Sequence, residues 1–207
     1  GRRGIASRSA VRRYLEEFHS EEQEKKRQPH QAFVPEPNRA VQGLWEVHKD
    51  FIGYVQRRRP EQAATVDLDA TLVETSKEEA LWSYKGYKAY QPLNAYWHEQ
   101  DLVVYSEFRD GNVNCGYRQT EVFERALAQL PEGVEKVYAR TDTQGYEQEF
   151  LQYLAQGNNE RFGVIEYAVG VDVTQAFRKA VAEVKEEQWQ PLDDRGQQWA
   201  EVCFVPH

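Results

Sequence analysis

Hydrophobic positions recur with a helical period at the start of the chain. Val11, Tyr14, Leu15 and Phe18 are spaced as one face of a helix, with Ser7 or Ser9 placed to cap it. The pattern dissolves into the charged stretch 21–27, and Pro29, Pro35 and Pro37 predict a linker over 28–37. Leu44, Val47, Phe51, Ile52 and Val55 predict a second helix, closed by the triplet Arg57-Arg58-Arg59 and by Pro60. Positive charge there suits a helix C-terminus and equally offers contacts to DNA phosphates.

At residue 64 the period changes to two. Ala64, Val66, Leu68, Ala70 and Leu72 alternate with Thr65, Asp67, Asp69, Thr71 and Val73, which predicts a strand over 64–73 whose second face bears two carboxylates. Aromatic and β-branched residues predict two more strands, 87–98 and 102–108, joined by a hairpin turn at 99–101, with Lys85-Gly86 as a turn upstream. A loop, Arg109-Asp110-Gly111-Asn112, leads to a helix with Val122, Phe123, Ala126, Leu127 and Leu130 on one face, ended by Pro131 and Gly133. A fourth strand, 134–141, delivers Asp142 at its end. Helix 146–154, strand 162–171 and helix 176–184 follow, and the tail from Trp189 holds a short strand candidate at 200–205. The expected fold is therefore α/β: an antiparallel three-stranded meander followed by alternating helices and strands, behind a helical N-terminal segment.

Composition narrows the class. With 207 residues, 40% hydrophobic and 13% aromatic, the chain can bury a core, so intrinsic disorder is not expected. No apolar run approaches the ~20 residues of a membrane span, so the chain reads as soluble, cytoplasmic and without a membrane partner. Cys115 and Cys203 lie far apart, with no C-x-x-C spacing or nearby histidine, and read as reduced packing thiols. A chain that begins at Gly1 and contains no methionine reads as a piece of a longer protein. The net charge is -8, but residues 1–60 carry +5 and residues 61–207 carry -13. An acidic body argues against indiscriminate coating of nucleic acid, while the basic leading segment is compatible with a localised phosphate-binding surface.

The acids carry the candidate chemistry. Asp67 and Asp69 repel each other within an apolar strand and cost desolvation, and a bound cation is the natural compensation. If the first and fourth strands are neighbours, Asp142 joins them at one edge of the sheet, outside the carboxyl ends of the strands. Oxygen ligands suit Mg²⁺ or Mn²⁺. Two such ions about 3.5–4 Å apart can activate an attacking hydroxyl and stabilise the departing oxygen of a phosphodiester. His19, His30, His48, His98 and His207 form no cluster at ligand spacing.

Four motifs in order complete the picture: Thr65-Val66-Asp67-Leu68-Asp69-Ala70-Thr71; Tyr84-Lys85-Gly86-Tyr87 with Tyr90-Gln91-Pro92-Leu93; Phe108-Arg109-Asp110-Gly111-Asn112; and Ala139-Arg140-Thr141-Asp142. Over roughly 64–190 the chain resembles the DDE transposases of bacterial insertion sequences. The resemblance implies a ribonuclease H-like catalytic core over 61–188, after a basic helical segment, 1–60, and before a β-rich tail, 189–207. It implies Asp69 and Asp142 as catalytic, metal-binding acids, with Asp67 the competing first acid. It further implies Mg²⁺ or Mn²⁺ as cofactor, terminal inverted repeats and target DNA as double-stranded partners, and a homodimer on DNA. The family's third acid, a glutamate in a Tyr, Arg, Glu, Lys pattern, has no match between Trp189 and His207 and is expected beyond the chain. Glu183, Glu186 and Glu187 read instead as a solvated helix face. A ribonuclease H-like nuclease without strand transfer and a non-catalytic fragment that binds DNA or partners are the alternatives. The aromatics Trp82, Tyr84, Tyr87, Tyr90, Tyr96 and Trp97, interleaved with Lys85 and Lys88, read mainly as core and cross-strand pairs, with base stacking as the other reading. The Arg109–Asn112 loop reads either as a DNA-positioning element or as a shaped turn.

Overall fold

The computed structural model describes residues 5–28 and 31–202, and the chain divides into two compact units between Gly170 and Val171. The first unit opens with α1 (Arg8–Glu16), capped by the Ser7 hydroxyl, and a single turn, α2 (Glu21–Glu24), capped by Ser20. The charged stretch at 21–27 thus supports a short helix that hydrophobic spacing does not announce. After the linker, the Asn38 side chain accepts from the Val41 N–H and starts α3 (Arg39–Arg58), a helix of 20 residues. One face of α3 is buried at Ile52 and Gln56, and its Trp45 ring packs 5.0 Å from Tyr105.

The predicted period-two segment forms β1 (Ala63–Ala70), with Ala64, Val66 and Leu68 buried and the intervening side chains on the more open face. It ends earlier than alternation implies, and Val73–Glu74 becomes β2, an edge of a separate small sheet with β3 (Leu81–Trp82) and β4 (Lys88–Tyr90). The strand predicted over 87–98 is likewise two, β4 and then β5 (Leu93–Trp97). The break lies at Gln91-Pro92: proline has no N–H to donate, and the Gln91 N–H leaves the ladder to bond the Arg109 carbonyl at 2.9 Å. The turn at Lys85-Gly86 is present, with Gly86 at φ +82°.

Then come β6 (Leu102–Glu107), α4 (Gln119–Gln129), β7 (Lys136–Thr141), α5 (Gln148–Ala155) and β8 (Glu166–Val169). The predicted strand over 162–171 is shortened to these last four residues. The main sheet has the order β6-β5-β1-β7-β8, in which β6, β5 and β1 form the expected antiparallel meander while β1, β7 and β8 run parallel. Helices α4 and α5 cover the apolar face, with Phe123 and Phe150 meeting edge to face at 5.3 Å inside one continuous core.

The second unit holds α6 (Gln175–Ala182), capped by Thr174, and a two-residue hairpin of β9 (Gln190–Pro191) and β10 (Gln198–Trp199). The strand expected at 200–205 is displaced to β10; residues 203–205, with Cys203, lie outside the described residues.

Two glycines separate local from tertiary constraint. A Cβ at Gly111 would lie 2.4 Å from the Ala89 carbonyl oxygen, whereas one at Gly43, inside α3, meets nothing within 4 Å. Gly111→Ala is therefore expected to destabilise the fold by about 2 kcal/mol. Gly43→Ala is expected to stabilise it by about 0.5–1 kcal/mol through helix propensity. Denaturant midpoints of the two variants check both signs.

Candidate active site

The parallel ladder of β1 and β7 runs in register from Ala63 opposite Lys136 to Leu68 opposite Thr141. Asp69 follows Leu68 inside β1, and Asp142 follows Thr141 just past the end of β7, so both come directly after the last register pair at the carboxyl edge of the sheet. Neighbouring parallel strands in register project side chains to the same face. The pair two positions back, on the same face, demonstrates it here: Asp67 lies opposite Arg140, and their side chains meet in a two-point ion pair of 2.5 and 2.7 Å. The guanidinium of Arg140 is raised in pKa by its hydrogen bond to Asp67.

Alternation left Asp67 and Asp69 equivalent, and their partners separate them. Both Asp67 oxygens are engaged by Arg140. Asp69 is exposed; its Oδ2 accepts from the Thr71 hydroxyl at 2.8 Å, and no cation pairs with it among the described residues. Asp142 is also exposed, and its Oδ1 accepts from the Gln144 N–H at 2.9 Å, capping a one-turn 3-10 helix, Thr143–Gly145. Gly145 makes that turn possible, since a Cβ there would strike the Thr141 side chain at 1.8 Å. Each of these two carboxylates keeps one oxygen without a hydrogen-bond partner among the described residues. The donor set is all oxygen and its negative charge is not neutralised by a side chain, which fits a hard divalent cation. Among the described residues no third acid, histidine or cysteine joins them as a cluster.

Sequence reasoning missed Asn94, which lies opposite Asp69 on β5 and whose Oδ1 accepts from the Ser106 hydroxyl at 2.7 Å. The signal was available: Asn94 is the polar position between buried Leu93 and Ala95. Strand pairing alone could say that it borders Asp69.

The other two motifs divide. Arg109 and Asp110 are 0% and 1% exposed, so this part of the loop is built into the fold. Arg109 Nη2 lies 2.8 Å from Glu107 Oε1 on β6, and Glu107 also faces Arg125 at 3.5 Å. Burial lowers the Arg109 pKa, and the charge of Glu107 opposes it. Asp110 pairs with Arg27 from the N-terminal segment and forms an isolated bridge with Tyr90. Of the aromatics, Trp97 is core at 0% exposure, whereas Trp82 and Tyr84 project at 64% and 65%. These two line a groove of about 470 Å³ with Asn112, Asn114, Cys115 and Gln144. Gln144 Nε2 donates to the Tyr84 hydroxyl at 3.3 Å, which ties the groove to the turn that carries Asp142.

A mixed sheet of three antiparallel and two further parallel strands, with helices and two acids at its carboxyl edge, defines a ribonuclease H-like protein. The family described as transposase DDE domain group 1 matches residues 1–205, and the chain belongs to that family. Its members are phosphoryl-transfer enzymes that act on DNA and use divalent metal ions. No curated protein matches the chain. Among the described residues no helix is long and apolar enough to cross a membrane.

Burial is the first influence on the Asp110 carboxyl and pushes its pKa up; the hydrogen bond and charge of Arg27 oppose it without cancelling it. A raised folded-state pKa contributes stability that is full below the ordinary aspartate range and is lost as pH rises through the folded pKa. The stability of the parent minus that of Asp110→Asn should therefore fall as pH rises through this window and level off above it. Urea denaturation of both proteins across that range measures the difference; a rise with pH would mean that the Arg27 pair dominates.

Proposed function

We propose that this chain is the catalytic part of a DNA transposase that cleaves phosphodiesters at the terminal inverted repeats of an insertion sequence and joins them to target DNA. Asp69 and Asp142 are the metal ligands and catalytic acids in this reading. The observation that carries it is the contrast among three aspartates. Asp67 is consumed by Arg140, while Asp69 and Asp142 both follow the last β1/β7 register pair and keep a free oxygen each among the described residues.

Mg²⁺, or Mn²⁺, would be held by those free oxygens, and when bound it supplies the charge that activates a water or 3′-hydroxyl and stabilises the departing oxygen. The chain's own residues do the rest. Thr71 and the Gln144 N–H each occupy the other carboxylate oxygen and hold it in orientation. Arg140 draws Asp67 away from the pair and keeps the local negative charge from rising further. The exposed rings of Trp82 and Tyr84, with Lys85 over Tyr84 at 5.8 Å, offer a stacking and cationic surface beside the acids for a DNA strand. In this reading residues 61–188 carry the core, residues 1–60 contribute phosphate contacts, residues 189–207 begin a β-rich tail, and two copies act on paired DNA ends.

One observation favours a second reading. No third acid joins Asp69 and Asp142 among the described residues, which suits a chain that binds metal and DNA without completing the reaction.

Asp69→Asn and Asp142→Asn should each weaken Mn²⁺ binding by at least about 100-fold, more than the loss of an outer-shell partner. Asp67→Asn should leave it within about threefold. Calorimetric titration gives the affinities, and cleavage and joining of terminal-repeat DNA separates the readings. Metal binding without cleavage supports the second; cleavage without joined products supports a nuclease; equal losses from Asp67→Asn and Asp69→Asn would overturn the assignment of Asp69.

A further inference from the structure

Helix α3 has two apolar faces, and among the described residues only one is covered. Trp45, His48 and Ile52 turn toward the sheet, with His48 Nε2 2.7 Å from the Val103 carbonyl. About 120° around the helix, at 100° per residue, Leu44, Val47, Phe51 and Tyr54 form a second stripe, exposed at 49%, 65%, 50% and 48%. Their 3-4-3 spacing is that of a seam that receives another helix, and such a contiguous patch marks an interaction site. The chain carries a matching helix. In α1 no residue is buried, and Val11, Tyr14 and Leu15 on its apolar face are exposed at 45%, 59% and 60%.

Charge selects how the two would meet. Arg8 and Arg12 lie one turn apart on one flank of the α1 stripe. Glu46 and Asp50 lie one turn apart on one flank of the α3 stripe, both exposed and without an ion pair among the described residues. Among the described residues Arg12 pairs only with Glu16 of its own helix, at an exposed site where such a bond is weak. On helical geometry the basic and acidic flanks meet when the helices dock in parallel; an antiparallel arrangement sets them on opposite sides.

A parallel arrangement excludes the chain's own α3. The Asn38 side-chain amide donates to the Glu17 carbonyl at 3.0 Å, which holds the C-terminal end of α1 at the N-terminal end of α3. Parallel docking on the stripe needs that end of α1 near Phe51, about 20 Å further along at 1.5 Å per residue. We propose that α1 of one copy docks on the Leu44–Tyr54 stripe of a second copy, and reciprocally, so that two swapped helices make a two-fold dimer. This gives the pairing of copies a specific surface, and it is tested without DNA or metal, so its outcome is independent of Asp69 and Asp142.

Sedimentation equilibrium of the chain, with circular dichroism as a check on folding, should show a dimer that Val47→Asp or Leu15→Asp converts to monomer while the folded signal is kept. Arg8→Glu with Arg12→Glu, and separately Glu46→Arg with Asp50→Arg, should each weaken the dimer at least tenfold. An equimolar mixture of these two double variants should restore it, because each α1 then faces an oppositely charged α3 in the other copy. A monomeric parent, charge-reversed variants that dimerise like the parent, or a mixture that fails to associate would each overturn the proposal. A monomeric parent is what docking within one chain would give, and an α1 double variant that dimerises like the parent is what an α3-to-α3 contact would give.

Discussion

The parallel pairing of β1 with β7 is the constraint on which the rest of the site depends. Six consecutive register pairs, from Ala63 with Lys136 to Leu68 with Thr141, align two strands about seventy residues apart in sequence. Parallel strands cannot be joined by a tight turn, so the chain must leave the sheet and return over its face. Here the return runs through α4, whose Val122, Phe123, Ala126 and Leu127 are buried. Val66, Leu68 and Ala139 are buried in the same core as that helix, and their burial holds the register, since a slip of one residue would turn every side chain of β1 to the wrong face. Asp67 meets Arg140, and Asp69 and Asp142 both follow the last aligned pair, as consequences of that one alignment.

A second set of contacts anchors the rim of the sheet. Backbone bonds from Gln91 to Arg109 and from Gly111 to Ala89 lace the Phe108–Asn112 loop to the small sheet, and no side chain larger than hydrogen fits at Gly111. Beneath them the buried pair Arg109 and Glu107 forms a charge network with the half-exposed Arg125. Such a network adds little net stability over an apolar core, but removing one member leaves an uncompensated buried charge. Its effect is to hold one geometry at the loop. That loop borders the groove of Trp82, Tyr84 and Gln144, so a structural anchor and a candidate DNA surface share a short stretch of chain.

The N-terminal segment behaves differently from this rigid rim. It is attached through discrete polar contacts, Arg27 with Asp110, Arg118 with Glu36 and Asn38 with Glu17, while α1 leaves its apolar face in solvent. An amphipathic helix gains most of its stability from packing that face, so a short helix with no buried residue lacks its main source of support within the described chain. The same holds for the outer stripe of α3, although α3 is secured by its other face.

Much of this was legible in the sequence because it depends on local periodicity. The change from helical spacing to alternation at residue 64, the order of three strands before alternating helices and strands, and the presence of acids on β1 and just after β7 all follow from neighbouring residues. What failed was also local in origin: alternation ran on through Pro92 and through Thr71, where the backbone in fact changes sheets. The burial of Arg109 and Asp110 was invisible, since charged residues in a glycine-containing loop read as solvated until partners distant in sequence enclose them. The sequence by itself determined which elements form and that carboxylates stand on the polar face of the first strand. Only the tertiary structure decided that Arg140 takes Asp67 and leaves Asp69 without a cationic partner among the described residues, because strand register is set by packing across the whole sheet and is written in no single segment.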